Sequence, residues 1–596
     1  MALILGGEEQ VSDKFWTPEF EVEYRDDGSI IMRHTDPEIY FGRTIPDSLV
    51  RWAQKTPDHD WLAQRNDAGT WDRLTYGDAL PMLRKLGAAF LEMGLTADRP
   101  VLILSENSID HGVVAMACQY VGIPGAAVST AYALLSDTHD KLRDVAGQLN
   151  AGAIYASDGA TYGPAIAAVA GPDTHAIVSK NPAEGMHLLS DLTHADIDLT
   201  AADAAFAELS GDTVAKYLFT SGSTGSPKAV INTQSMLTSN MALAADCFRF
   251  LAFKPPVLVD WAPWSHTASG NKAFNIVITN GGTFYIDEGK PTPKLIGKTI
   301  ANLREIAPSW YFNVPVGYEM LVQAMREDDQ LRNNFFSNLD MMMYAGAGMA
   351  QHTWEDLLTL SRETTGHEVL LTTALGATET GPLAMIGTTQ QEKPGNVGVP
   401  VKGVTLKLVP NEDKLEARIK SPSVTRGYLN DPAKTAEAFD DEGFYCLGDA
   451  LRPVDMNDLT KGFLFDGRIA ENFKLSTGTW VAVGALRASM VDHFDGLIRD
   501  AVIVGENRDE LGAMVFPADP DAEPDLATYQ TILDAFNAKA TGSSNRVRRL
   551  VVLREVPSLD KGEATDKGSI NQRAVIRHRP EAVEVLFDGE RGVKTY

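Results

Sequence analysis

The sequence has few cysteines, and they lie far apart. The three are Cys118, Cys247 and Cys446. An odd number at such spacings excludes a disulfide framework and the close cysteine pairs of a structural zinc site. The opening segment, MALILGGEEQ, has no basic residues before its short apolar run, so we predict no signal peptide. These features together predict a cytoplasmic protein.

Long apolar runs are also missing. The best candidate for a membrane span, residues 113–128, is interrupted by Gln119, Gly122 and Pro124 and is too short to cross a bilayer. We predict instead a buried helix that runs into a strand, and no membrane insertion.

Positive charge is scarce. Against 80 Asp and Glu there are 53 Lys and Arg, which gives a formal net charge of -27. Nucleic acids and anionic lipid surfaces attract clustered Lys and Arg, so we exclude them as main partners. A homodimer is compatible with this composition. In so acidic a chain, an isolated Lys or Arg inside a motif is more informative than the total.

Short apolar runs alternate with helical segments along the first two thirds of the 596 residues. This alternation predicts an α/β fold with buried strands. The predicted strands are Val101–Leu104, Ala153–Tyr155, Tyr217–Phe219, Val257–Trp261, Thr283–Ile286, Met341–Ala345 and Val369–Thr372. We predict a large N-terminal domain over residues 1–466, with a β-rich subdomain at about 395–466. A small, mobile α+β domain follows over residues 467–596, with strands in AVIVGEN and RLVVLREV.

The most specific motif is the loop in YLFTSGSTGSPKAV. Its hydroxyl groups, glycines and single lysine are the groups that bind polyphosphate through backbone N–H groups and charge. The candidate nucleotide-binding residues are Thr220, Ser221, Gly222, Ser223, Thr224, Gly225 and Lys228. A flexible Ser/Gly loop is the plain alternative. A Walker loop fits poorly, because its lysine opens a helix whereas Lys228 follows a proline and enters a β-like run.

With this loop the chain resembles the adenylate-forming superfamily of acyl-CoA synthetases, luciferases and peptide-synthetase adenylation domains. Four further segments follow in that family's order: Gly376-Ala377-Thr378-Glu379-Thr380, Tyr445-Cys446-Leu447-Gly448-Asp449, Gly467-Arg468 and Lys567. The resemblance implies ATP, Mg²⁺ and CoA as cofactor and co-substrates, and an acyl-adenylate intermediate. It covers the chain from about Ile45 to the C-terminus.

The resemblance also implies roles. Glu379 would bind Mg²⁺ and act in catalysis together with Thr224, while Gly376 and Thr378 would lie beside the phosphates. Asp449 would accept both ribose hydroxyls, and Arg468 would contact the nucleotide. Lys567 would bridge the attacking carboxylate and the α-phosphate, carried by a domain that pivots near residues 466–470.

The acid should bind against DWAPWSHTASGNKAFN, WYFNVPVG and YAGAGM. Aromatic and amide side chains there could hold a flat ring. The candidates are Trp261, Trp264, Phe274, Tyr311 and Phe312 for the ring, and Asn271, Asn313, Ala345, Gly346 and Gly348 as further substrate contacts. His266 would stand beside the carboxylate and act in catalysis.

These segments look most like feruloyl-CoA synthases, which implies a hydroxycinnamic acid as the substrate. Another aryl or medium-chain acyl-CoA synthetase, an enzyme that loads a carrier protein, and a nucleotide-binding pseudoenzyme remain alternatives. The chain departs from the family pattern at Leu375, Leu447 and Ala470, which affects the adenine wall and the hinge.

Overall fold

The computed structural model describes residues 14–136, 138–220, 227–558, 560–564 and 570–596. It is a mixed α/β structure with helices between buried parallel strands, which confirms the predicted fold class. Within these ranges, no helix combines the length and the apolar character needed to cross a membrane. The doubtful segment at 113–128 forms the helix Ile109–Tyr120 and the strand Gly125–Ala127, as predicted.

The first sheet has seven strands and carries the candidate phosphate loop at its edge. Its strands are parallel, apart from the antiparallel hairpin at that edge. In spatial order they are Lys228–Thr233, Val214–Thr220, Gly125–Ala127, Val101–Leu104, Ala153–Ala156, His175–Val178 and His187–Leu188. The central strands read as unbroken apolar runs because both of their faces are covered.

Two further sheets combine parallel and antiparallel strands. One has four strands, in the order Val257–Asp260, Thr283–Ile286, Asp60–Arg65 and Trp71–Thr75. The other has five, in the order Trp310–Asn313, Met341–Tyr344, Leu370–Leu375, Met385–Ile386 and Val399–Pro400. In the second, the first three strands are parallel, so their carboxyl ends meet at one edge.

An antiparallel six-stranded sheet contains most of the strands of the segment predicted to be β-rich. Its order is Phe20–Tyr24, Ile30–His34, Thr405–Asn411, Lys414–Lys420, Tyr445–Pro453 and Phe463–Arg468. The two N-terminal strands were not predicted. Phe20–Tyr24 pairs with Ile30–His34, and Ile30–His34 pairs with a segment more than 370 positions away, for example through Met32 and Leu406.

The C-terminal region builds its own sheet of Ile498–Val504, Leu511–Pro517, Val547–Val552 and Gly592–Thr595. A short hairpin of Phe473–Lys474 and Trp480–Val481 precedes it. AVIVGEN and RLVVLREV both contribute strands here, and the sheet packs on its own cluster of buried apolar side chains.

Nearly half of the α-helices in the described residues begin at a side-chain cap. Thr44 forms a capping box with Asp47, and Ser108 and Asp158 accept from first-turn amides. The α-helices are Ile45–Lys55, Tyr76–Glu92, Ile109–Tyr120, Ala131–Leu134, Asp140–Leu149, Gly159–Val169, Leu189–His194, Thr200–Glu208, Gln234–Cys247, Phe274–Asn280, Ile296–Glu305, Pro315–Glu327, Asp329–Ser337, Gln351–Thr365, Pro432–Glu437, Val483–His493, Leu526–Ala538, Gln572–His578 and Pro580–Phe587. Short 3₁₀ turns lie at Arg249–Ala252, Thr378–Thr380, Leu459–Lys461, Ile469–Glu471 and Ser543–Asn545, and a π-helix spans Ala268–Ala273.

Candidate active site

The ends of the candidate phosphate loop face each other across the edge hairpin. Thr220 ends one strand, Lys228 begins the next, and the two are directly paired. Because Lys228 enters a strand rather than a helix, the segment has the connectivity predicted here and not that of a Walker loop. The predicted contacts Ser221, Gly222, Ser223, Thr224 and Gly225 lie outside the described residues.

Tyr428 connects this hairpin to Glu379. The Lys228 ammonium lies 4.9 Å from the centroid of the Tyr428 ring. The Tyr428 hydroxyl donates to Glu379 Oε1 over 2.9 Å. Backbone hydrogen bonds hold Tyr428 in place, since Ile231 N donates to the Gly427 carbonyl. Tyr428 could not be predicted from the sequence, because its link to Glu379 spans 49 positions and no motif contains both residues.

The backbone around Glu379 is tightly packed. Glu379 lies in the 3₁₀ turn Thr378–Thr380 just beyond a strand of the five-stranded sheet, and it is buried. A Cβ atom at Gly376 would come within 1.7 Å of the Pro382 carbonyl oxygen, so this position requires glycine. Asn240, on the helix after the hairpin, donates to the Thr380 carbonyl. The two sheets therefore jointly fix where the Glu379 carboxylate stands.

The same sheet edge gathers the candidate contacts for the acid. Asn313, Tyr344 and Leu375 end three adjacent parallel strands, so the segments that follow them emerge side by side. Ala345, Gly346 and Gly348 follow the central strand, and Gly346 has a φ of 90°, which favours glycine. Two of the predicted acid-binding segments thus share one sheet edge with the segment that carries Glu379.

Asp449 and Arg468 lie opposite each other on two antiparallel strands of the six-stranded sheet. Arg468 Nε lies 3.1 Å from Asp449 Oδ1, but this contact lacks hydrogen-bond geometry, and the buried oxygen accepts no hydrogen bond from the described residues. Burial raises the pKa of Asp449 to about 6, although Arg468 opposes the shift. A buried acceptor without a donor fits a ligand hydroxyl, as the predicted ribose role requires.

Tyr445 connects the two halves of the site. Burial raises the pKa of Tyr445 and of Tyr428, and the neighbouring Glu379 carboxylate raises both further. The positive charge of Arg468 lowers the pKa of Tyr445, so the Tyr445 hydroxyl lies within electrostatic range of both Glu379 and Arg468. Both phenols therefore stay protonated and can donate hydrogen bonds near Glu379.

Glu379 is the candidate protein ligand for the predicted Mg²⁺ ion. Among the described residues, no group of three or more His, Cys, Asp or Glu side chains could hold a metal ion. Mg²⁺ is commonly bound by one or two carboxylates together with substrate phosphates and water, so a lone buried carboxylate such as Glu379 fits it. The ion would neutralise phosphate charge there.

The aromatic side chains predicted for the acid pocket divide into two groups. Trp264, Phe274 and Tyr311 pack in the core, with the Trp264 and Phe274 ring centroids 4.6 Å apart. Trp261 and Phe312 are half-buried and lie at the strand ends. Core packing thus buries three of the five rings, whereas Trp261 and Phe312 remain partly exposed.

Hydrogen bonds position the side chains of Asn313, Asn271 and His266. Trp261 Nε1 donates to Asn313 Oδ1 over 3.1 Å, so this amide oxygen already has a partner. Asn271 is fully buried; its amide nitrogen donates to Asn232, while its Oδ1 accepts nothing from the described residues. His266 is half-buried, and its Nδ1 accepts from the backbone N of Ala268 over 3.3 Å. In the neutral ring the other nitrogen, Nε2, then carries the proton and can donate a hydrogen bond.

The π-helix Ala268–Ala273 holds a lysine that the sequence analysis did not select. Lys272 is buried, and its ammonium nitrogen lies 3.1 Å from the Met343 sulfur. It also lies 5.4 Å from the Phe248 ring centroid and 5.3 Å from that of Trp310. Burial lowers the pKa of Lys272 to about 7. π-Helices frequently mark functional sites, and this one begins two residues after His266.

Lys567 lies outside the described residues, but the segments on both sides of it are described. Ala564 and Ile570 form an isolated antiparallel bridge. Beside them the buried Arg579 donates to both oxygens of the buried Glu563, over 2.9 and 2.7 Å. The base of the segment is therefore held by a two-pronged ion pair.

The positions that depart from the family pattern are described too. Leu375 and Leu447 are buried apolar side chains at strand positions. The Ala470 carbonyl accepts a hydrogen bond from Arg573, which ties the predicted hinge to the C-terminal region.

Comparison with known proteins gives matches along most of the chain. The model of the AMP-binding enzyme family matches residues 49–429, and that of the AMP-binding enzyme C-terminal domain matches residues 473–591. Over 452 residues the chain is 26% identical to 4-coumarate–CoA ligase of Pinus taeda, covering 72% of this chain and 77% of that protein. Over 475 residues it is 24% identical to 3-hydroxybenzoate–CoA ligase of Aromatoleum sp. strain CIB, covering 77% and 84%.

Among solved structures, ATP-bound MatB from Rhodopseudomonas palustris superposes with a TM-score of 0.68 at 21% identity, covering 90% of this chain and 99% of that one. At this identity the likeness bears on the fold alone.

Proposed function

Because the chain belongs to the AMP-binding enzyme family, we propose that it is an ATP-dependent acid–CoA ligase that works through an acyl-adenylate. This membership confirms the resemblance found in the sequence. The observation that carries the proposal is the continuous set of contacts from Lys228 through Tyr428 to Glu379, next to Tyr445, Arg468 and Asp449.

The proposed reaction has two steps. In the first, a carboxylate oxygen of the acid attacks the α-phosphorus of ATP, a new P–O bond forms, and pyrophosphate leaves. In the second, the CoA thiolate attacks the acyl carbon and AMP leaves. The first step brings two anions together, so charge screening by Lys228 and by Lys567 would supply much of the catalysis.

We assign each of the candidate site residues a role in this reaction. The phosphate loop, with Thr220 and Lys228 at its ends, would bind the triphosphate, and Glu379 would hold Mg²⁺ against it. Asp449 would accept the ribose hydroxyls through its donor-free oxygen. His266 would face the carboxylate of the acid.

We further propose that the acid is a hydroxycinnamic acid such as ferulic, p-coumaric or caffeic acid. The support is the resemblance of the pocket segments to feruloyl-CoA synthases and the names of relatives that ligate CoA to aromatic acids. The half-open rings of Trp261 and Phe312 supply flat apolar surface for such a ring.

The test is a set of incubations of the purified protein with ATP, Mg²⁺, CoA and single acids: ferulate, p-coumarate, caffeate, cinnamate, benzoate and a medium-chain fatty acid. AMP and acyl-CoA are quantified by chromatography. We expect both products with hydroxycinnamates and the highest kcat/KM for one of them. Acid-dependent AMP without thioester would instead indicate a carrier-loading enzyme, and no AMP with any acid would indicate a nucleotide-binding protein without this activity.

A further inference from the structure

One face of the five-stranded sheet leads into the core from the edge that carries the Glu379 segment. Phe312 pairs with Met343, and Trp310 lies two positions before Phe312 on the same strand. Because side chains alternate along a strand, these three project from the same face. Trp310 and Met343 are buried in one apolar cluster, and the partly exposed Phe312 packs against it. We call this surface the Phe312 face, and it is closed at its Trp310 end.

Lys272 covers the closed end of the Phe312 face. Its amine nitrogen lies 3.1 Å from the Met343 sulfur and 5.3 Å from the centroid of the Trp310 ring. Among the described residues, no oxygen atom accepts a hydrogen bond from this amine. The nearby Cys247 is no counter-ion, because burial raises the pKa of its thiol and keeps it protonated. Burying an amine without an oxygen partner is costly, so a ligand that supplies the oxygen would remove a penalty.

The Trp310 ring carries a second donor at this end. Its indole Nε1 is buried and has no hydrogen-bond partner among the described residues. A buried indole N–H usually has a partner, and it can only donate. The closed end of the Phe312 face therefore has two nitrogen donors and no oxygen acceptor for either of them within the part of the chain that the structure describes. An oxygen atom on a flat apolar ligand fits this arrangement.

The distance from His266 to Lys272 suits the length of a phenolic acid. Lys272 lies in the π-helix Ala268–Ala273, six positions after His266. At about 1.5 Å of rise per helical residue, six positions correspond to roughly 9 Å. An extended hydroxycinnamic acid has a comparable length between its carboxyl carbon and the oxygen at the far end of its ring. With the carboxylate beside His266 and the ring against Phe312, this oxygen would reach Lys272.

We propose that Lys272 is a specificity-determining residue that selects acids with a hydroxyl group at the ring position opposite the carboxyl-bearing chain, an inference that rests on the ligase function proposed above. As an ammonium group it would donate to the hydroxyl oxygen, and as a neutral amine it would accept the hydroxyl proton in a hydrogen bond. Because burial lowers the pKa of Lys272 to about 7, both forms are present near neutral pH. p-Coumaric, caffeic and ferulic acids carry this hydroxyl group, whereas cinnamic acid has only a hydrogen atom there.

The test compares kcat/KM for thioester formation with p-coumarate and with cinnamate in the full-length protein and three variants. Lys272→Met removes the amine at similar side-chain length, and Lys272→Gln keeps a polar group. The matched control is Lys216→Met. Burial also lowers the pKa of Lys216 to about 7, but its amine already donates to the Gly270 carbonyl of the same π-helix over 2.6 Å. Thermal midpoints verify that all variants fold.

A site that bonds to a substrate hydroxyl discriminates against the analogue without it, so the wild type should prefer p-coumarate over cinnamate by about tenfold or more. In Lys272→Met this ratio should fall to about one, because activity with p-coumarate is lost while activity with cinnamate is kept. Lys272→Gln should give an intermediate ratio, since its amide can still bond to the hydroxyl group. Lys216→Met should keep the ratio of the wild type.

A wild type without preference between the two acids would overturn the proposal. So would an unchanged ratio in Lys272→Met, including an equal loss with both acids, which is the result that a merely structural role of Lys272 predicts. Calorimetry with the same two acids and the same proteins gives this comparison without turnover. Lys272-dependent preference in binding without AMP or thioester would remove the ligase function and keep the role of Lys272, whereas thioester formation with an unchanged ratio would do the reverse.

Discussion

The buried Lys272 makes the stability of the protein depend on pH in a way that one substitution should abolish. Its pKa is about 7 in the folded chain against an ordinary value of 10.5. Between these values the unfolded chain binds a proton that the folded chain does not, so stability rises with pH across this window. Below it both states are protonated, and the destabilisation stays at its maximum.

The magnitude follows from the two pKa values, because one pKa unit corresponds to about 1.4 kcal/mol. At about pH 6 the buried amine destabilises the fold by about 5 kcal/mol, and at about pH 9 by about 2 kcal/mol. Methionine has a similar length and no charge, so Lys272→Met should remove this dependence at a small packing cost. The stability difference between variant and wild type should be about 3 kcal/mol larger at the lower pH.

The assay is urea unfolding of both proteins at each pH, followed by tryptophan fluorescence, with midpoints and slopes compared. Lys290→Met, at an exposed position, serves as the control and should show no pH-dependent difference. Lys216, also buried with a pKa lowered to about 7, is present in every protein compared and therefore cancels. A difference between Lys272→Met and wild type that does not change with pH would refute the reasoning.

Three further predictions concern the proposed reaction. Tyr428→Phe removes the 2.9 Å hydrogen bond to Glu379. We expect acid-dependent ATP–pyrophosphate exchange to fall about tenfold in this variant, which is a smaller loss than in Glu379→Gln. An exchange rate equal to that of the wild type would contradict this prediction. Asp449 has a pKa raised to about 6. Because the protonated carboxyl group accepts ribose hydroxyls less well, the KM for ATP should rise as pH falls through about 6. Measurements of this KM from about pH 5 to about pH 8 should show the rise in the wild type and not in Asp449→Asn. Lys567→Ala should severely reduce adenylation but spare thioester formation from supplied acyl-adenylate, and equal losses in both half-reactions would count against its role.

Much of the fold could be predicted because buried parallel strands are apolar on both faces. Val101–Leu104 and Thr283–Ile286 were predicted with their observed bounds on this basis. The strand Phe20–Tyr24, with the sequence FEVEY, could not be predicted, because its charged, largely exposed residues give no such signal and its sheet is completed from distant parts of the chain.

The residues of the candidate site could be predicted only where the functional side chains lie together in one short motif of the sequence. The pairing of Asp449 with Arg468 depends on strand register, and the contact of Tyr428 with Glu379 depends on tertiary packing. Lys272 could not be predicted, because lysines are usually exposed and this one is buried beside Met343.

The strand ladder that joins Asp449 to Arg468 ends where the chain leaves the six-stranded sheet. If the C-terminal region turns about the residues after Arg468, both of these side chains stay behind, and contacts such as the ion pair between Lys474 and Glu412 must adjust. An enzyme built in this way can change which side chains reach its reaction centre between two chemical steps, while the same residues keep the nucleotide bound throughout.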